Sequence, residues 1–298
     1  MDLQIFILIW ICLIGLCLGS FYNVVILRSL SGESIVFPSS KCPKCGHKLY
    51  FWHNIPILSY LLLRGKCYFC KEQISIQYPI IEFTTMVLFA FAYLKFGLNI
   101  TALFVIVWLS CLLIMTVTDL KERVADCNLA ILMTILGVIN CCLYMGWAGI
   151  IFSLTGLLSA ALIIELIARS GYLITKSRAM GEADTYVAGA LGAIFGLKGV
   201  LIVLFFSLIA SVIFILPSFW YKNYKQGNKL TCISLILFLL ALVVYKTVQN
   251  YCTIAIVGIV AIILIYSLLK SIKKEENRNY LPYIPALAAG ALYGLIIM

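Results

Sequence analysis

Four cysteines and a few acidic residues carry most of the chemistry available to this 298-residue sequence. Cys42-Pro-Lys-Cys45 and Cys67-Tyr-Phe-Cys70 form a C-x2-C-x21-C-x2-C arrangement. Each C-x2-C turn can aim two thiolates at one ion, and two such turns complete a tetrahedral four-cysteine zinc site. The spacer is slightly longer than the usual range of about 15–20 residues. Two thiol pairs acting as disulfides or redox centres are the competing reading. Among only 12 Asp and Glu, Asp119 and Asp184 each stand at the edge of a long apolar run. Glu82 and Glu165 lie inside such runs. A charge at mid-membrane costs about 2.5–3.5 kcal/mol, so each of these two needs a partner, a cavity or a proton.

Composition decides what positions these groups. The chain is 63% hydrophobic and 11% charged, whereas a soluble domain is nearer half apolar and about a quarter charged. An ordinary water-soluble enzyme is excluded. A bilayer core needs about 20 apolar residues per helix. Residues 3–27, 79–96, 100–118, 129–145, 148–168, 230–248, 252–269 and 281–298 each read as a span. Residues 186–220 are too long for one span and divide at Gly196-Leu197-Lys198-Gly199. The expected fold is an all-α polytopic membrane protein with about ten transmembrane helices, one of them short. The start, Met1-Asp2-Leu3-Gln4, has no basic region before the apolar run, so residues 3–27 read as an anchor rather than a cleavable signal.

With the N-terminus outside, only Lys95, Lys198 and Lys246 of the 22 Lys and Arg fall outside. That satisfies the positive-inside rule, and it accounts for the net charge of +10 without a nucleic-acid partner. Without the division at Gly196, Lys222, Lys225 and Lys229 would also lie outside. The polar loop 28–78 then faces the cytosol, where disulfides are disfavoured, and Cys42, Cys45, Cys67 and Cys70 read as a structural zinc site. So short a loop has little core of its own, so metal binding would supply much of its folding energy. His47 and His53 read as loop surface, and the other eight cysteines as small packing residues.

The same topology puts Asp119 and Asp184 at the cytosolic ends of different helices. One ionised aspartate can activate a water while its protonated partner donates to a scissile carbonyl. Mutual repulsion lets such a pair share one proton. Two helix caps, or two ordinary interfacial acids, would occupy the same places, and position alone leaves both readings open. A thiol-redox membrane protein would keep its cysteine pairs on the oxidising side. A zinc-containing transporter would show charged or broken helices at the midplane, for which Glu82 and Glu165 are slight support.

Gly19-Ser-Phe-Tyr-Asn-Val-Val-Ile-Leu-Arg28, Asn54-Ile-Pro-Ile-Leu-Ser-Tyr60, Gln77-Tyr-Pro-Ile-Ile-Glu82, Asp119-Leu120, Met180-Gly-Glu-Ala-Asp184 with Ala190–Gly196, and Tyr283-Ile-Pro-Ala-Leu-Ala-Ala follow one another in this order. Together they resemble the type IV prepilin peptidases, membrane aspartyl proteases of the GxGD type. The resemblance implies an enzyme of the bacterial inner membrane. It would cut a short basic leader from prepilins and pseudopilins at the cytosolic face, serving pilus or secretion machinery. Many members then methylate the new N-terminus with S-adenosylmethionine. It also implies that Asp119 and Asp184 are the catalytic aspartates and that the four cysteines are the family's zinc site. Ser20, Asn23 and Glu82 become candidates for the cofactor.

The implied division is a first helix (1–27), a zinc-binding loop (28–78), a membrane catalytic core (79–220), an additional helix pair (221–280) and a last helix (281–298). Three departures accompany the resemblance. Ala183 replaces a glycine before the second aspartate, where φ > 0 would be less accessible. Val124-Ala125-Asp126-Cys127 blurs the pattern after the first, and Asp126 reads as a helix N-cap. Met86 stands where a glycine is expected after Glu82, which weakens the methyltransferase reading. The small-residue stretch 188–196 is expected to line the substrate path, with Gly189 and Gly192 open to it.

Overall fold

The computed structural model describes residues 3–34, 36–37, 40–175, 181–225, 233, 237 and 282–297. The expected spans 230–248 and 252–269, and with them nearly all of the additional helix pair, lie outside the described residues. The rest forms helices α1 (Leu3–Ser31), α2 (Leu58–Leu62), α3 (Gln77–Phe96), α4 (Ile100–Glu122), α5 (Cys127–Met145), α6 (Trp147–Thr175), α7 (Glu182–Lys225) and α8 (Ile284–Ile297). A single 3-10 turn covers Phe51–Asn54. Among the described residues there is no strand, only two isolated bridges inside the cysteine loop.

Among the described residues, six helices are long and apolar enough to cross a membrane: α1, α3, α4, α5, Trp147–Ser170 of α6 and Glu182–Phe214 of α7. Their ends follow local chemistry. The Asn99 side chain accepts the Ala102 N–H at 2.9 Å and starts α4. Asp126 does the same for α5 through the Asn128 N–H, at 2.9 Å. Such caps satisfy donors that the first helical turn leaves without partners.

α7 is interrupted at Gly196, whose φ of 66° and ψ of −178° are not helical. Gly146 likewise has positive φ (φ 58°, ψ −137°), and it forms the one-residue corner between α5 and α6. A second observation fixes the geometry. Tyr283, next to α8, interacts with both Ser207 and Asp184. A straight helix would hold those two residues about 35 Å apart at 1.5 Å per residue. The chain therefore doubles back at Gly196, at the point where length and charge divide residues 186–220.

α4 is the most buried of the spans. It packs in one apolar cluster with residues of α5, α6, both arms of α7, and α8, including Leu112, Met133, Ile164, Leu191, Val203 and Leu287. Small residues set how closely these helices approach. A Cβ on Gly156 would lie 2.0 Å from the Gly192 carbonyl oxygen, and one on Gly290 would lie 2.3 Å from that of Val203. Lipid gives helices no hydrophobic reason to associate, so such close backbone packing is a principal source of cohesion.

Candidate active site and metal centre

Asp119 lies in the last turn of α4. That helix ends when Arg123 adopts a left-handed conformation and donates its N–H to the Asp119 carbonyl. The helix dipole opposes a negative side chain at this end. The carboxylate is nevertheless 7% exposed, and its Oδ2 accepts the Ile284 N–H at 3.1 Å. The first N–H groups of a helix lack internal partners, and Pro285 brings none of its own. Asp119 thus caps α8 from a different helix.

Asp184 sits in the first turn of α7, where the dipole favours an acid. It is 6% exposed, and its Oδ2 accepts the Gly181 N–H at 2.9 Å. The two aspartates are close enough to interact electrostatically. The structure therefore brings together two buried carboxylates from separate helices, each holding one backbone N–H and each near Tyr283 or Ile284. Ala183 is within the helical turn and is absent from the positive-φ residues. The expected penalty for replacing glycine there does not arise, because the backbone is in a region any residue adopts.

Sequence reasoning assigned no role to Ile284, Tyr283 or Ser207. The Tyr283-Ile-Pro signature marked the place, but an amide donor has no side-chain signal. Gly192 needs a different correction. A Cβ there would meet the Gly156 carbonyl oxygen at 2.2 Å, whereas at Gly189 the nearest atom is 3.8 Å away. Gly192 is a helix–helix contact rather than an open wall, because α6 occupies that side.

Ser20, Asn23 and Glu82 gather on the seam between α1 and α3. Glu82 Oε2 accepts the Ile57 N–H at 2.7 Å, and Ser20 lies beside the same carboxylate. Asn23 is fully buried. It donates to the Gly19 and Tyr78 carbonyls, both at 3.2 Å, and accepts from Gln77 Nε2 at 3.4 Å. These partners answer the need of a buried Glu82 for company. Glu165 pairs with Arg169 at 2.9 Å instead. At Met86, the approach of the two helices is set by Gly15, where a Cβ would lie 2.9 Å from the Met86 Cα.

The cysteine loop folds as two matching knuckles. Cys42 exchanges backbone bonds with Gly46 and His47, and Cys67 does so with Lys71 and Glu72. The residue after each second cysteine, Gly46 or Lys71, has positive φ. All four Sγ atoms lie within 4.8 Å of one another, and Cys42 to Cys70 is 3.9 Å. A tetrahedral zinc with bonds of about 2.3 Å has edges of about 3.8 Å, so this donor set fits that ion. Convergence of all four sulfurs suits one metal better than two separate dithiols. His47 stacks on Phe69 at 4.7 Å, and His53 lies 5.1 Å from Tyr68. Both histidines pack around the knuckles, and the four-cysteine cluster includes neither.

Residues 13–96 match the Bacterial Peptidase A24 N-terminal domain, and residues 106–216 match the Type IV leader peptidase family. The chain is 31% identical to a prepilin leader peptidase/N-methyltransferase of Neisseria gonorrhoeae over 67% of its own length and 78% of that protein. A like-named protein of Xanthomonas campestris is 33% identical over 70% of this chain and 79% of the relative. One of Myxococcus xanthus is 32% identical over 67% of this chain, a match spanning 59% of the relative's length. No solved structure matches the chain. Matching domains in the expected order and the level of identity lead to one conclusion: the chain belongs to the type IV leader peptidase family.

Proposed function

We propose that this protein is a membrane aspartyl endopeptidase that removes a short basic leader from type IV prepilins or pseudopilins, with Asp119 and Asp184 as its catalytic pair. The observation that carries the proposal is the meeting of two buried carboxylates, from the end of α4 and the start of α7, within one electrostatic environment. In the proposed reaction the ionised aspartate takes a proton from water as the water oxygen attacks the scissile carbonyl carbon. Its protonated partner gives a proton to the carbonyl oxygen. Collapse of the tetrahedral intermediate breaks the C–N bond, and the leaving amine takes up the proton first drawn from water. The Ile284 and Gly181 N–H groups each occupy one lone pair of Oδ2 and hold the carboxylates in orientation.

Further parts of the reading rest on charge distribution and on the relatives' names. The N-terminus lies outside, so the aspartates and the cysteine loop face the cytosol of a bacterial inner-membrane protein of about ten spans. Residues 28–78 form the metal module, 79–220 the core, 221–280 an additional pair of helices, and 1–27 and 281–298 the flanking spans. Cys42, Cys45, Cys67 and Cys70 hold a structural zinc that fixes the loop, with no role in peptide cleavage. N-methylation of the new N-terminus is a second proposed activity, for which S-adenosylmethionine supplies the methyl group. Asn23 and Glu82 are engaged with chain partners and Ser20 lies beside Glu82, so no step is assigned to them.

Mass spectrometry of a prepilin co-expressed with this chain tests both activities. Loss of the leader together with one added methyl group is the expected product. An intact leader removes the peptidase reading, and a trimmed but unmethylated N-terminus removes the second activity alone.

A further inference from the structure

Between the two cysteine knuckles runs the apolar stretch 55–63, Ile-Pro-Ile-Leu-Ser-Tyr-Leu-Leu-Leu, which neither catalysis nor metal binding uses. Its depth can be measured. The Ile57 amide is bonded to Glu82, three residues past the start of the apolar run 79–96 of α3, or about 4.5 Å along the helix axis. The same carboxylate meets Ser20. The Glu82 backbone also packs on Gly19, where a Cβ would lie 2.7 Å from the Glu82 Cα. That level of α1 is about 12 Å short of the end of its apolar run at Leu27. Two independent helices therefore put Ile57 inside the boundary of the apolar band rather than above it.

The chain is bent on purpose to reach this place. Ile57 has φ 58° and ψ −49°, an outlier for a β-branched residue. Leu58 donates back to the Pro56 carbonyl, which closes a strained γ-turn. α2 follows at once, with Leu58, Leu61 and Leu62 all exposed, Leu62 at 74%. Their spacing puts them on one helical face. The same module carries the exposed rings of Tyr50, Phe51, Trp52 and Tyr68 and the exposed cations Arg64, Lys66 and Lys71. Aromatic rings belong at headgroup level, and long basic side chains reach from apolar surface to phosphate.

We propose that residues 50–71 form a docking surface for anionic phospholipid. α2 enters the headgroup–acyl boundary and Arg64, Lys66 and Lys71 engage the lipid phosphates, which clamps the metal module flat on the bilayer. The occupant is lipid rather than a second protein because Ile57 is tied to Glu82 inside the apolar run of α3, whose neighbours Ile80 and Phe83 are themselves exposed apolar side chains. Charge supports the same choice. Residues 28–78 hold seven Lys or Arg and only Glu33 and Glu72 as acids, which favours a negative bilayer surface and disfavours a basic peptide.

The test uses the full-length, zinc-loaded protein in nanodiscs of phosphatidylcholine, alone or with about a third phosphatidylglycerol, a charge density that draws in basic segments. A photo-crosslinking phenylalanine at Leu61 or Leu62 should form adducts with phospholipid, and one at Lys44 should not. Amides of residues 57–63 should exchange several-fold more slowly in the anionic discs. Arg64→Gln with Lys66→Gln should reduce the preference for anionic over neutral discs by about thirtyfold, at roughly a tenfold factor for slightly more than one surface cation. Adducts to protein instead of lipid, exchange that is the same in both discs, or an unchanged preference in the double variant would each overturn the proposal. Cross-linking is read in an otherwise native chain, so a variant that fails to fold does not decide the matter.

Discussion

The cysteine knuckles and the aspartate pair are built by opposite means. In the knuckles, every backbone bond joins residues within nine positions, from Cys42 to His47 and Cys67 to Glu72 out to Ser40 with Leu49 and Gly65 with Ile74. The aspartate site is assembled from chain regions more than a hundred residues apart, because Asp119 receives its N–H from a residue 165 positions later. Local geometry makes the first an autonomous unit that a metal can lock. The second exists only when α4, α7 and α8 are packed together. Failure should therefore follow different rules in the two regions.

The largest expected effect separates them by chemistry. Asp119→Asn or Asp184→Asn should each lower single-turnover prepilin cleavage by about 10²–10⁴-fold, the usual worth of a general acid or base, while zinc content stays at its normal value. Cleavage near the wild-type rate in either variant would take that residue out of the mechanism. The reverse experiment is Cys42→Ser with Cys45→Ser. It should abolish bound zinc, whose apparent binding is worth about 10–16 kcal/mol in such sites, and speed amide exchange across 40–75. Exchange at Ile284 should not change. If Ile284 loosens too, the two regions are not independent.

Next comes a pair of glycines on one helix. Gly192→Leu must push its side chain into the Gly156 carbonyl and should cost at least about 1–3 kcal/mol of stability, as overpacked sites do. Gly189→Leu has room at its Cβ and should leave the melting temperature within a few degrees. Equal melting temperatures would show that the α6–α7 seam does not hold the aspartate site together. The smallest effect belongs to Asp126. Asp126→Asn should be silent in activity and stability, because the two residues cap equally well, and Asp126→Ala should cost about 1 kcal/mol. A large loss of cleavage in Asp126→Asn would put a third acid into the chemistry.

How much was legible in the sequence follows the same division. Spacing alone identified the knuckles, since four cysteines at fixed intervals have few uses and the turn geometry is local. The ends of α3, α4 and α5 fall within a few residues of the apolar runs 79–96, 100–118 and 129–145, because Gly97, Asn99 and Asp126 punctuate them. Asp119 and Asp184 were visible as rare acids at the ends of apolar helices. Position alone could not choose between caps and catalysts, and the structure explains why: Asp119 is bonded as a cap to α8 even where it faces a second carboxylate. The Ile284 amide was invisible because backbone donors carry no residue identity. The bond from Ile57 to Glu82 was hidden for the same reason. Gly192 looked like open space because a glycine reads alike whether it faces a cavity or another backbone.

The capping of α8 by Asp119 also sets an order of events during synthesis. A ribosome adds about 5–20 residues per second, so Ile284 emerges roughly 5–20 s after Asp184. Throughout that interval a nascent chain carries both aspartates but lacks the amide that holds one of them. Under the mechanism proposed above, an unfinished chain could not orient its acid pair beside the crowded translocon, where freshly made apolar helices pass. On that proposal, Asp119 gains its orientation only once Ile284 has been made and α8 has packed against α4.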